Sequence, residues 1–153
     1  MMTKRLPPIE ELVLHRDTML LVDRLVDKTD THATAELRIS ESSTFFRKGK
    51  GVPAYVGLEY MAQTVAAFDG AQQVENAAEP SIGFLLGSRR YLSDRDYFGS
   101  GDHLLVDVEM VFNDGNMASF DCSINVNGEP AVSATLNVYR PGPGEFPPME
   151  KPL

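Results

Sequence analysis

The sequence predicts an α+β domain in which an antiparallel sheet of five to six strands curls round one long central helix. Three observations predict it: an apolar stretch at helical spacing over residues 53 to 75, period-two alternation in several other segments, and Asn- and Gly-containing turns between the last of them. With 153 residues and 42% hydrophobic content, the chain supports one well-filled core rather than two. A single domain is expected over residues 1 to 140, followed by a Pro-rich tail from 141 to 153 with no usable period.

The elements follow in order. Residues 6 to 14 place Pro7 and Pro8 where a helix can start, Glu10 and Glu11 in its first turn, and apolar side chains at helical spacing, so a short helix is expected. Residues 19 to 26 are apolar and β-branched enough for a first strand. In the next strand Ala33, Ala35, Leu37 and Ile39 share one face, and His32, Thr34, Glu36 and Arg38 the other. Residues 82 to 92 read as a strand that is apolar on both faces over its first half, as a central strand under a helix would be. Alternation returns at Leu104/Val106/Val108/Met110/Phe112, at Ala118/Phe120/Cys122/Ile124/Val126 and at Val132/Ala134/Leu136/Val138. Residues 113 to 116 and the pair Asn127 and Gly128 tolerate the positive φ of tight hairpins, so these three strands form an antiparallel meander.

Composition narrows the function. A formal net charge of -8 argues against general binding to nucleic-acid phosphates. No uncharged apolar run approaches the ~18 residues a membrane span needs, and no signal-peptide pattern opens the chain, so a cytoplasmic protein that avoids membranes is expected. The single cysteine, Cys122, excludes an intrachain disulfide and lies in an alternating apolar pattern, as a small buried hydrophobe does. No clustered His or Cys spacing suggests a metal, and no cofactor is called for.

The chemistry concentrates on Glu59. From residue 52 to 68 the segment is almost entirely apolar, and the helical neighbours of Glu59 at three and four residues are Tyr55, Val56, Ala62 and Gln63. It therefore does not belong to a charged, solvent-facing stripe. Counted from Pro53, it falls in the second turn, beyond the strongest influence of the helix dipole. Two readings remain: a buried carboxylate satisfied by a structural partner, or one in an apolar pocket whose raised pKa suits acid–base chemistry.

Three segments taken together carry a resemblance. His15-Arg-Asp-Thr-Met-Leu-Leu-Val-Asp-Arg24, Pro53-Ala-Tyr-Val-Gly-Leu-Glu-Tyr-Met-Ala-Gln63 and Phe98-Gly-Ser-Gly-Asp102 occur in the order found in the 3-hydroxyacyl-acyl-carrier-protein dehydratases of the hot-dog fold. With Ile82-Gly-Phe-Leu-Leu-Gly-Ser88, the central segment more narrowly resembles a divergent branch associated with aryl-polyene-type pathways. The resemblance implies that Glu59 is the catalytic acidic residue, and that the backbone amide of Ala54 matches the glycine amide that polarises the thioester carbonyl. It also implies at least a homodimer, paired sheet edge to sheet edge. The chain departs from the family in the loop that normally carries the catalytic histidine, where residues 45 to 52 contain none.

Of the three histidines, His32 and His103 are expected on solvated positions, which leaves His15. His15 has two readings, a catalytic base or a group that pins the N-terminal segment. The expected reaction removes the C2 proton of a 3-hydroxyacyl thioester with His15 as base while Glu59 protonates or orients the departing C3 hydroxyl, giving the trans-2-enoyl thioester and water. A thioesterase on the same fold and a non-catalytic acyl-carrier or acyl-chain binding module are the alternatives. The substrate carrier, an acidic acyl carrier protein or coenzyme A, requires a basic patch, for which Arg47, Lys48 and Lys50 before the helix and Arg89 and Arg90 after it are the candidates.

Overall fold

The computed structural model describes residues 6–12, 19–76 and 84–140. Eight strands and one long helix follow one another as β1 (Arg24–Lys28), β2 (His32–Arg38), β3 (Val52–Pro53), α1 (Gly57–Glu75), β4 (Phe84–Ser93), β5 (Tyr97–Phe98), β6 (His103–Asn113), β7 (Met117–Val126) and β8 (Glu129–Tyr139). Six of them form an antiparallel sheet in the order β1-β2-β6-β7-β8-β4, while β3 and β5 pair apart from it. The helix lies across the concave face.

Register explains why this sheet has one greasy side. Ala35 stands opposite Val106, Val106 opposite Ile124, and Ile124 opposite Val132, so a single row of buried side chains crosses four strands. The next row runs Ala33, Val108, Cys122, Ala134, with side chains small enough to let the helix approach. Onto these rows α1 lays Met61, Val65, Ala67 and Phe68, all buried, with the Phe68 ring edge-on to Phe120 at 5.7 Å. Fully burying each large apolar side chain contributes roughly 1.5–3 kcal/mol, and this shared face is the principal source of stability. Burial also pushes the Cys122 thiol up to about 12, consistent with the inert core position expected from its alternation.

The meander and its turns match the sequence pattern, with Asn127 at φ 52° and Gly128 at φ 89° between β7 and β8. Three expectations need correction. The N-terminal helix appears among the described residues only as the 3-10 turn Ile9–Glu11. The first strand starts at Arg24, because residues 20 to 23 run irregularly over the helix and only from Arg24 does the chain pair with β2. Most consequentially, β4 is not central but the edge strand beside β8, with register shifts between Leu85 and Gly87 and between Arg89 and Leu92. The expected tail from 141 to 153 lies outside the described residues.

Two polar devices fix the helix. Lys28 at the end of β1 has a side chain only 1% exposed and donates to Gln72 and Glu75 near the helix C-terminus, where a cation is favourable. Asp69 forms a two-pronged ion pair with Arg140, and burial pushes its carboxyl pKa up against the opposing pull of that guanidinium. Close approach also shapes the helix at Gly70, where an added Cβ would stand 2.2 Å from the carbonyl oxygen of Leu12.

Gly70→Ala should therefore destabilise the fold, although the same change in an exposed helix interior would gain about 1 kcal/mol of helix propensity. A lowered urea midpoint at unchanged m-value is the expected reading, and a raised midpoint contradicts the contact. On the outer face, His103 and then Arg24 hold the Glu36 carboxyl below its ordinary pKa. That stabilisation is present above the ordinary carboxylate range and is lost as pH falls through the lowered value. Glu36→Gln should flatten the acid limb of a plot of denaturation midpoint against pH.

Candidate active site

The helix entrance is built by a crossing of two loops. Val52 pairs with Phe98 and Pro53 with Tyr97, and the Ala54 N–H then donates to the Asp96 carbonyl at 2.8 Å. The chain passes through a 3-10 turn, Ala54–Val56, before α1 begins at Gly57. Tyr91, on β4, donates its hydroxyl to the Ala54 carbonyl, and burial pushes the phenol up to about 12. Gly57 makes room for this contact: a Cβ there would stand 2.4 Å from the Tyr91 hydroxyl.

This geometry corrects the expectation for Ala54. Its amide is committed to the Asp96 carbonyl, because β3 and β5 extend their pairing by one residue. Past Ala54 the chain turns as the 3-10 helix, and the Gly57 N–H returns to the carbonyls of Ala54 and Tyr55. Glu59 sits closer to the dipole than the count from Pro53 suggested. The 3-10 turn shifts the α-helical start by four residues, which places the carboxylate in the first α turn, where negative charge is stabilised.

Glu59 is partly buried rather than enclosed, and its carboxylate is positioned by the residue one turn below it. Gln63, 0% exposed, donates its side-chain amide to the Glu59 carboxylate at 3.3 Å and to the Met19 carbonyl at 2.7 Å. The Gln63 side-chain oxygen accepts the Leu21 N–H at 2.8 Å. One amide thus ties the segment that enters β1 to the Glu59 face of α1. The sequence offered a signal for Gln63 in a polar residue four positions after a glutamate on an apolar helix, but nothing local announced its backbone partners.

His15 lies outside the described residues. His32 and His103 project from the outer, polar face of the sheet, each about one-third exposed or less, paired with Asp107 and Glu36 respectively, and neither joins Glu59. Among the described residues no cluster of His, Cys, Asp and Glu could hold a metal ion, and no helix is long and apolar enough to cross a membrane.

Of the two basic groups, the first lies at the helix entrance. Arg47 donates to the Tyr55 hydroxyl at 2.9 Å, and the Lys50 ammonium stands 5.8 Å from the centre of the Tyr97 ring. Arg89 and Arg90 precede Tyr91, whose hydroxyl reaches Ala54. Tyr55 itself is 65% exposed.

Residues 7–147 match the family described as ApeP-like, ApeP dehydratase. The chain belongs to the ApeP-like dehydratase family. Among curated relatives, a 3-hydroxyacyl-[acyl-carrier-protein] dehydratase FabZ of Pseudothermotoga lettingae is 31% identical over 136 residues, 85% of this chain and 91% of that one. The FabZ of Streptococcus uberis is 26% identical over 132 residues, covering 84% and 91%. Of solved structures, the dehydratase heterocomplex ApeI:P from Xenorhabdus doucetiae matches with a TM-score of 0.86 and 26% identity, over 92% of this chain and 95% of that one. A hypothetical thioesterase from Streptococcus pneumoniae, solved with coenzyme A, shares the hot-dog fold at 16% identity and a TM-score of 0.60.

Gln63→Leu should strand the Leu21 N–H and the Met19 carbonyl and release Glu59. A loss of about 1–3 kcal/mol of stability is expected, together with a fall in kcat, for a residue that touches no reacting atom. Unchanged stability and turnover would show that the bridge positions nothing.

Proposed function

We propose that this ApeP-like dehydratase family member converts a 3-hydroxyacyl thioester, carried on an acyl carrier protein, to the trans-2-enoyl thioester and water. The observation that carries the reading is Glu59, held by buried Gln63 at the entrance of the central helix. A base takes the C2 proton, the electron pair forms the C2–C3 double bond, and the C3 hydroxyl leaves as water with a proton from Glu59. The thioester carbonyl gains negative character during C2 deprotonation, and backbone N–H groups at the start of the central helix are the donors this reading assigns to it.

His15 is the base in this reading. Arg47, Lys48, Lys50, Arg89 and Arg90 dock the acidic carrier; the place of Arg47 and Lys50 at the helix entrance supports this. The reading also calls for a second hot-dog chain. The edge position of β4 supports pairing, since an unpaired edge strand is a template for another chain. A like partner makes the homodimer expected above, and the Xenorhabdus heterocomplex supports an unlike one. A cytoplasmic site of action completes the reading, supported by a buried free thiol at Cys122.

Incubation with a 3-hydroxyacyl carrier-protein thioester tests the proposal, with enoyl absorbance and free thiol followed together. Enoyl absorbance without thiol release is expected, and Glu59→Gln should lower its rate on the order of 10²- to 10⁴-fold while the fold is retained. Thiol release alone assigns a thioesterase, and tight binding with neither product assigns a binding module. Reversing charge at Arg47 and Lys48 should raise KM for the carrier-bound substrate at low salt, with kcat little changed. An unaltered KM would remove this end of the molecule from carrier docking.

A further inference from the structure

Tyr91 reaches the helix entrance because β4 breaks its own alternation. Arg89 stands opposite Thr135 and Leu92 opposite Ser133, so Arg90 and Tyr91 together face the single residue Ala134. A regular strand would point residue 90 at the helix and Tyr91 at solvent. The bulge reverses this, with Arg90 at φ 55°, a left-handed conformation that residues bearing a side chain rarely adopt. Arg90 and Leu92 are exposed as a result, and Tyr91 packs against the core.

The inward ring has a defined partner. Its hydroxyl donates to the Ala54 carbonyl, the same carbonyl that accepts the Gly57 N–H and so starts the turn into α1. The Ala54 N–H is held in turn by the Asp96 carbonyl, so both backbone groups of this residue are fixed from outside the helix. Gly57 leaves the hydroxyl its place, since a Cβ there would stand 2.4 Å from the phenol oxygen. Burial pushes that phenol up to about 12, which keeps it a donor across the neutral range. A phenylalanine would fill the same space without the bond, so packing alone does not account for a tyrosine.

We propose that Tyr91 is a positioning residue for the dehydration: aimed inward by the bulge in β4, it clamps the 3-10 turn so that the backbone at the start of α1 and the Glu59 carboxylate keep one geometry toward the thioester. The inference rests on the dehydratase reading for the reaction it serves, whereas the clamp itself does not depend on turnover. Tyr91 acts through Ala54 rather than on the substrate. Its bond is made just before α1 begins, where a shift of the turn moves the helix start and Glu59 together. A displacement of about 1 Å is enough to cost on the order of 10²-fold in rate.

Tyr91→Phe keeps the ring and removes the donor. Per folded molecule, kcat should fall on the order of tenfold to a hundredfold with KM for the carrier-bound substrate little changed. The pH–rate profile should drop without its limbs moving, because the phenol does not titrate across neutral pH. An unaltered kcat beside a lowered denaturation midpoint makes Tyr91 a packing residue and overturns the proposal, as does a shifted limb, which would make it an acid or base. Gly57→Ala should lower kcat by pressing on the same hydroxyl, and should cost markedly less in a Tyr91→Phe background, whereas additive losses contradict a shared contact. Amide hydrogen exchange reads the clamp without turnover: residues 54 to 57 should exchange on the order of tenfold faster in Tyr91→Phe, with β6 and β7 unchanged. Unchanged exchange at 54 to 57 overturns the clamp. That exchange pattern in a protein that forms no enoyl product leaves the clamp standing and removes the dehydratase reading instead.

Discussion

Everything at the helix entrance depends on one buried side-chain amide. Gln63 has a donor group and an acceptor oxygen, and it spends them on Glu59, on the Met19 carbonyl and on the Leu21 N–H. In an apolar interior such an amide is tolerable only when satisfied, so the irregular segment before β1 is obliged to lie against the helix. The same constraint orients the carboxylate. Structure and chemistry therefore share one group: the bond that closes the open side of the core also aims the acid.

The sheet makes that arrangement rigid. Because side chains alternate strictly, the rows from Ala35 to Val132 and from Ala33 to Ala134 present a continuous apolar floor, and small residues at 33, 35 and 134 let α1 settle deeply onto it. Helix depth then dictates what happens at each end. At the C-terminal end Lys28, Asp69 and Arg140 supply the polar fastening. At the N-terminal end the loop pair β3 and β5, with Tyr91, clamps the 3-10 turn, so the backbone at the helix start is held in a fixed frame. Preorganised donors of this kind stabilise developing charge without reorganising.

Charge is partitioned in the same spirit. The outer face of the sheet carries cross-strand pairs, His32 with Asp107 and Glu36 with Arg24 and His103, which keep two of the three histidines away from the helix. Arg47 at exposed Tyr55 and Lys50 over Tyr97 instead stand at the helix entrance, on a protein whose formal net charge is -8. A local basic end on an acidic molecule favours an acidic partner there and discourages it elsewhere.

Much was legible in the residues themselves. Period-two alternation determined β2, β6, β7 and β8 and which of their side chains face the core, and Asn127 with Gly128 determined a hairpin, because these are properties of neighbours in the chain. A glutamate amid apolar helix positions marked the site for the same local reason. Tertiary structure alone decided that β4 lies at an edge, that the Ala54 amide is taken by Asp96, and that Gln63 reaches back to residues 19 and 21. Each of these is a pairing between groups far apart in sequence, and no local propensity records which distant partner a buried polar group will find.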